Sequence, residues 1–468
     1  MEEIMEQNAT IVVDLGFGDA GKGTIIDFLA RKARISTVVR FNGGAQAAHN
    51  VIAPDGRHHT FAQFGSGTLA GARTHLSRFM LIDLTAMAQE AEHLAQLGCD
   101  DVFSRLTVDE DALVVTPFQK AANRLREISR GDGKHGSCGM GIGETMADML
   151  AFPEWAVRAR DLRNPETLEK KMRFFQEMKR EEFRHQLEHL AFNPFAKNEA
   201  ELLATPDAAA LYARHLWRLA MRFRIVPGSY LRTIAAAGDL LFEGAQGVLL
   251  DEWHGFHPYT TWSTATPANA LELLSEIGYD GSIERLGVLR AYFTRHGAGP
   301  FVTEDSGLSV MLPDAFNKPG TWQGDFRVGW FDLVMARYAI TVSGGIDSLA
   351  ITNLDRFAKI PDAKIAMAYH VPEERMVHDG KRIALSRIEG NMTRVDRLFR
   401  KETLTDLTYQ EALTRLLQSA IPEYRPAPGN EEGYLQLIER ELSVPVTITS
   451  HGPTALGKHL RTRLLKAA

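Results

Sequence analysis

The stretch Ile11–Ala33, IVVDLGFGDAGKGTIIDFLARKA, limits what this chain can fold into more than any other. The β-branched run Ile11, Val12, Val13 predicts a strand, the glycines after it predict a turn, and the apolar spacing from about Thr24 predicts a helix. Strand, glycine loop and helix aim successive backbone N–H groups and the positive end of a helix at one point, and that point attracts phosphate. Gly16, Gly18, Gly21 and Gly23 let the backbone come close, and Lys22 adds a cation. Asp19 is the misfit. A carboxylate among phosphate-seeking amides repels the phosphate unless a cation lies between them or the acid does chemistry of its own.

Several readings compete for this loop. Gly16-x-Gly18-x-x-Gly21 fits the dinucleotide fingerprint, but the next strand, Ser36–Phe41, ends in Arg40 and Asn42 and lacks the ribose-binding acid. Gly16-x4-Gly21-Lys22 is a near P-loop, with Gly23 where Ser or Thr holds Mg²⁺ and Thr24 one place late. A tight turn with no function leaves four glycines, a Lys and an Asp within eight residues unexplained. A further reading joins Asp19 to the second strand and its turn, Val38–Asn50 (VVRFNGGAQAAHN).

The chain of 468 residues has room for two or three average domains or one large α/β unit. A net charge of −6 argues against nucleic acid or an anionic membrane as partner, and no run of 18 apolar residues is present. The start MEEIMEQN does not read as a signal peptide, and Cys99 and Cys138 build neither a disulfide framework nor a Cys-rich zinc site. A cytoplasmic enzyme is expected.

Strands are expected at 10–15, 36–41 and 59–63, and helices at 24–33 and 83–97, an alternation that implies a mostly parallel sheet flanked by helices. Ligands of such sheets bind beyond the carboxyl ends of the strands, where the glycine loop lies. A helical insertion is expected over 165–225, with one long charged helix from Glu166 to Phe192 and a second from Pro206 to about Phe223. Leu216, Trp217 and Leu219 are expected to pack back on the core. The sheet resumes at 239–243, 287–292 and 348–352, residues 400–440 read as helical, and a last strand spans Val444–Thr449. Lys458–Lys466 reads as a solvated basic helix.

GDAGKG followed by VVRFNGGAQAAHN resembles the loops of the adenylosuccinate synthetases, written GDEGKGK and GGxNAGHT. FEGAQGVLLD (242–251) with His254-Gly255 and Pro258–Thr261, TRHGAGPF (294–301), Arg327–Asp332, Thr352–Asp355 and Ser450–Pro453 continue the likeness in order. The resemblance implies one α/β domain over 1–468 that joins aspartate to carbon 6 of a 6-oxopurine nucleotide through a 6-phosphoryl intermediate. It implies Mg²⁺, GTP or ATP as co-substrate, and a homodimer. Asp19 matches the general base and a metal ligand, with Ala48 as the other metal position, and His49 matches the general acid. Lys22 with Gly18, Ala20, Gly21, Gly23 and Thr24 would cradle phosphate. Asn42, Gln46, Gln246, Thr261, Ser137 and Cys138 would hold nucleotide or phosphate, as would Asn353, Asp355, Ser450 and Gly452. His296, Thr321 and Arg327 would take the aspartate.

The departures are specific. Ala20 replaces Glu, Ala48 replaces Gly, and Gln46 stands where the family has Asn. The arginine-rich aspartate loop reads TWQGDFR, so only Arg327 keeps register, and Gly324 falls where a family Arg meets the ribose 2′-hydroxyl. TKLD reads TNLD, with Asn353 for Lys. Ser137 keeps one hydroxyl of a phosphate loop, and Cys138 reads as a small residue in a tight turn rather than a nucleophile. The family's interface-crossing Arg has no match in register, leaving Arg158 or Arg160. The SCG, WQG-x-FR, TNLD and SHGP combination is similar to the phage-type 2-aminoadenylosuccinate synthetases, which act on dGMP, although those often lack the loop acid kept here as Asp19. The rivals to a ligase are a P-loop-like kinase that stops at phosphoryl transfer and a nucleotide sensor without turnover.

Overall fold

A computed structural model describes residues 7–32, 35–130, 138–186, 194–314, 324–389 and 392–461. Its main sheet has ten strands, in chain order β1 (Asn8–Asp14), β2 (Ile35–Arg40), β3 (Arg73–Leu76), β4 (Leu106–Asp109), β5 (Arg224–Val226), β6 (Asp239–Gly247), β7 (Ser282–Arg290), β8 (Ser348–Thr352), β9 (Val446–Ser450) and β10 (Lys458–Leu460). They lie side by side as β10-β9-β8-β7-β1-β6-β2-β3-β4-β5. Every neighbouring pair is parallel except β9 with β10. The mostly parallel α/β fold is therefore as expected from the alternation.

β1 is buried on both faces, which its unbroken apolar run requires. Ile11 and Val13 face one core with Phe41, Phe242 and Leu289, while Val12 faces the other with Ile25, Ile26 and Phe28 of helix α1 (Lys22–Lys32). Successive strand residues point to opposite faces, so three consecutive apolar residues serve both layers. Each such side chain, at most 1% exposed here, stabilises the fold by about 1.5–3 kcal/mol. Because β6 and β7 flank β1, the carboxyl ends of β1, β2, β6, β7, β8 and β9 deliver their loops to one rim.

Several elements differ from the sequence reading. His58–Phe61 does not join the main sheet; it forms a hairpin with His49–Ile52, and the next sheet strand is β3. The charged helix runs Pro165–Glu182, capped by Asn164 Oδ1 accepting from the Glu166 and Thr167 amides, and is interrupted at Phe183; the end of the expected helix, at Phe192, lies outside the described residues. Lys197–Ala204 and Ala208–Ala220 are separate helices; in the latter Leu216 is buried and Trp217 and Leu219 are half-buried. Residues 400–440 hold a strand, Ile421–Pro426, between helices Leu407–Gln418 and Glu431–Leu442. It is an edge of a second sheet with Phe331–Asp332, Lys364–Val371, Ala384–Glu389 and Met392–Leu398. Pro422 and Pro426 hide its strand character and are tolerated because an edge needs no second ladder of N–H donors. Lys458–Leu460 is strand, not helix, and Lys458 is only 4% exposed; residues 462–466 of the expected helix lie outside the described residues.

His75 on β3 is buried, with Nδ1 2.9 Å from Thr107 Oγ1, and burial pushes its imidazole down to about 4. The folded state therefore holds the neutral ring, while the unfolded chain takes up a proton near pH 6.5. Stability should fall as pH drops from 6.5 towards 4, by about 3 kcal/mol from this group at the acid end. Denaturant midpoints across that range should show His75→Gln with a flatter dependence; an unchanged slope contradicts the assignment.

Candidate active site

The glycine loop is wound around Asp14, the last residue of β1. Asp14 Oδ1 accepts from the Gly16 amide and Oδ2 from the Ala20 amide, both at 2.8 Å. Lys22 Nζ donates to the same Oδ2 at 3.0 Å and to the Gln246 carbonyl at 2.7 Å. Asp14 thus organises the loop, which leaves Asp19 to do something else. Asp14 was not singled out from the sequence; its mark is an acid ending an apolar strand directly before a glycine run.

Asp19 sits in the left-handed region at φ 60°, uncommon for a residue with a side chain. Burial pushes its carboxyl up, while the charges of Arg290 and Lys22 oppose the shift, as does His296 more weakly. Arg290, another residue the sequence reading passed over, holds the loop by donating Nε to the Asp19 carbonyl at 2.6 Å. Its guanidinium is anchored by Asp314 at 3.3 Å. Thr352 Oγ1 donates to the Ala20 carbonyl at 2.7 Å, tying the loop to the end of β8.

His49 lies across from the loop. Its Nδ1 is 2.5 Å from Glu243 Oε1, and Glu243 also accepts from Ser66 Oγ at 2.5 Å and the Ser66 amide at 2.9 Å. Burial alone would raise the Glu243 carboxyl, but Arg40, its register partner on β2, together with His49 and Ser66 holds it at about 2. An ionised Glu243 keeps a proton on Nδ1, which leaves Nε2 as the ring nitrogen without a protein partner. Burial pushes the His49 imidazole down, and Glu243 pulls part of the shift back. Gly23 is required here for close approach: a Cβ on it would lie 2.8 Å from His49 Cβ and 3.1 Å from Ser66 Oγ. Glu243, hidden in an apolar strand, was not predicted.

The loops after β2 and β6 face each other. Asn42 brackets them, donating Nδ2 to the Ala245 carbonyl at 3.0 Å and Ser263 Oγ at 3.3 Å, and accepting the Ala245 amide at 2.7 Å. Its side chain thereby makes three hydrogen bonds within the protein. By contrast, Gln46 Oε1 and Nε2, Gln246 Oε1 and His49 Nε2 are buried without a partner. Buried polar atoms are rarely left so, and these belong to residues expected to touch nucleotide. Gln246 and Asn353, like Asp19, hold positive φ (62° and 59°), a strain typical of ligand-facing loops.

The other predicted residues fall as follows. Gly18 and Gly21 stay in the loop, and Thr24 lies in the first turn of α1 with its Oγ1 donating to the Gly21 carbonyl. Thr261 is placed by its amide on the Leu250 carbonyl. Asn353 donates to Tyr292 Oη at 3.4 Å beside half-buried Asp355, and Ser450 and Gly452 close the neighbouring strand end. His296 lies near Asp19, its Nε2 3.2 Å from the Gly324 carbonyl. Arg327 is engaged by its own surroundings, Glu304 at 2.7 Å and the carbonyls of Gly297 and Gly299. Ala48 is exposed and has only a carbonyl to offer. Burial pushes the Cys138 thiol up, which disfavours a nucleophilic thiolate. Arg158 and Arg160 both turn onto Asp111. Ser137 and Thr321 lie outside the described residues.

A phosphate loop with its own carboxylate, a braced histidine and unpartnered amides at the ends of parallel strands define an enzyme that works on nucleotides. The profile of the adenylosuccinate synthetase family matches residues 11–456. The adenylosuccinate synthetase of Chlorobium limicola is 31% identical over 454 residues, 96% of each chain, and that of Desulforamulus reducens 33% identical over 375 residues, 78% of this chain and 82% of its own. The chain belongs to the adenylosuccinate synthetase family, ligases that form a C–N bond and depend on a nucleoside triphosphate. Among solved structures, fully ligated adenylosuccinate synthetase from Plasmodium falciparum superposes with a TM-score of 0.74 at 21% identity, over 98% of this chain and 100% of that one. The succinoaminodeoxyadenylate synthetase of cyanophage S-2L, bound to dGMP and dATP, gives 0.58 at 17%, over 97% and 95%. These two likenesses speak for the fold.

The bracket and the unpartnered amides should separate on mutation. Asn42→Ala leaves the Ala245 amide and carbonyl buried without partners and should cost about 1–3 kcal/mol in denaturant unfolding. Gln46→Ala removes polar atoms that already lack partners and should cost well under about 1 kcal/mol. Equal losses would show that the two side chains play the same part.

Proposed function

We propose that the protein joins L-aspartate to C6 of a 6-oxopurine nucleotide, IMP first among them, using GTP or ATP and acting as a homodimer. The carrying observation is Asp19, a half-buried carboxylate inside a phosphate-binding loop, set with Lys22 close enough to act electrostatically on both it and His49. The C6 oxygen is a poor leaving group until it is phosphorylated. Asp19 takes the N1 proton, O6 attacks the γ-phosphorus, and the bond from that phosphorus to the bridging oxygen breaks to release the diphosphate. The aspartate amine then attacks C6, loses a proton, and the phosphoryl oxygen leaves as inorganic phosphate. A carboxyl raised by burial is a better base near neutral pH than an exposed one. In its imidazolium form, with Nδ1–H held by Glu243, His49 donates Nε2–H to O6 and stabilises the charge that builds there. The loop amides and Lys22 cradle the transferring phosphate.

The Asp19 carboxylate with the Ala48 carbonyl makes an all-oxygen donor pair, and among the described residues no three His, Cys, Asp or Glu side chains converge. That fits Mg²⁺, which keeps waters and phosphate oxygens, better than a metal wanting a protein cage. Bound there, it would offset the charge between Asp19 and the triphosphate. A second reading, dGMP with ATP, rests on Gly324, whose place near His296 carries no side chain to meet a ribose hydroxyl.

The test is a matrix of IMP, GMP and dGMP against GTP and ATP, with and without aspartate. Aspartate-dependent product from a 6-oxopurine nucleotide is expected; phosphoryl transfer without aspartate points to a kinase, and binding without turnover to a sensor. Asp19→Asn and His49→Asn should each lower kcat on the order of 10²–10⁴-fold. Tenfold or smaller losses at both positions defeat the assignment. Glu243→Gln removes the anion that supports the imidazolium, so the alkaline limb of kcat should move to lower pH.

A further inference from the structure

Lys458 opens β10 with its side chain buried. Nζ donates to the Gly452 carbonyl at 3.1 Å and the Thr454 carbonyl at 2.9 Å, leaving one ammonium N–H beyond these bonds. Asp27 on α1, 1% exposed, and Asp355 beyond β8 lie close enough to support the charge against burial. Burying an ammonium is costly unless acceptors and countercharges hold it, and an edge strand gains nothing from it that an apolar residue would not supply. The segment 451–457 spans from β9 to β10, where Ser450 and Lys458 are register partners. Lys458 therefore grips this segment from inside, and Glu431 grips it from outside through His451 Nε2 at 2.8 Å. Ser450, Gly452 and Asp355 are residues that the family resemblance assigns to nucleotide, and Asp355 lies just past β8, the neighbour of β9 in the sheet.

We infer that Lys458 is a positioning residue for the nucleoside triphosphate: it holds the Gly452–Thr454 backbone beside Asp355 so that the two together receive the purine base. The acceptor nucleotide is a separate matter. Gln246 and His49 stand at β6 and past β2, and β9 is four strands from β6 in the sheet order, about 19 Å at ordinary strand spacing. Loss of Lys458 should accordingly register at one substrate only. The inference rests on the ligase reading for its substrates but not for its binding test.

Lys458→Met and Lys458→Arg in the full chain would be compared with the unaltered protein. Kd for N-methylanthraniloyl derivatives of GTP and ATP would be read by fluorescence, and KM for each substrate by turnover. Lys458→Met should weaken triphosphate binding about tenfold, the scale of one charged hydrogen-bonding group, with kcat and the acceptor KM within about twofold. Lys458→Arg, which keeps the charge and donors, should recover part of the loss and serves as the folded control if the Met variant does not fold. Unchanged triphosphate binding overturns the inference, as does an equal rise in every KM with a lowered melting point, the mark of a general structural role. Weakened triphosphate binding in a protein that turns over no 6-oxopurine nucleotide upholds the inference while removing the ligase reading.

Discussion

The Asp14 carboxylate at the end of β1 is the contact on which the site depends. It takes two loop amides and the Lys22 ammonium at once, at 2.8–3.0 Å, in a place almost free of water. Charge-assisted bonds of this kind are about twice as strong as neutral ones. They wind the loop into a shape in which Gly18 and Asp19 both take left-handed backbone angles. Without an internal acid, the loop amides would compete for the nearest carboxylate, and Asp19 would be drawn into its own loop. With Asp14 in that role, Asp19 remains available to a substrate.

A second division of labour follows from burial and neighbours. Glu243 is fully buried and Asp19 half-buried, yet Arg40, His49 and Ser66 hold Glu243 ionised at about 2, whereas desolvation keeps the Asp19 carboxyl above its ordinary value. Two carboxylates driven apart in this way suit different tasks, one fixing a histidine tautomer and one exchanging a proton. His49 Nε2, the Gln46 amide and Gln246 Oε1 are buried polar atoms that protein groups do not satisfy. The fold agrees with the family whose profile spans residues 11–456.

Much of this was legible in the residues because glycine spacing and apolar runs are local. Ile11–Lys32 had to be strand, loop and helix, and Asp19, His49, Gln46 and Gln246 stood out by type and order. What failed to show was set by contacts between distant segments. Glu243 and Arg290 read as ordinary strand residues until β6 and β7 were placed on either side of β1. The bracket Asn42 makes onto Ala245 was hidden too, because its partner lies in β6, some 200 positions away. Lys458 read as solvated because a basic tail usually is, and only β10 folding back on β9 buries it. The second sheet escaped because Pro422 and Pro426 break the pattern of its edge strand.

The most direct measurement is a crystal structure with a 6-oxopurine nucleotide and a non-hydrolysable triphosphate bound together. The Asp19 carboxylate should lie at about 3 Å from purine N1, with His49 Nε2 at hydrogen-bond distance from O6 and Glu243 still on Nδ1. An Asp19 side chain turned away from the purine, with His49 facing elsewhere, would contradict the chemistry assigned to this loop.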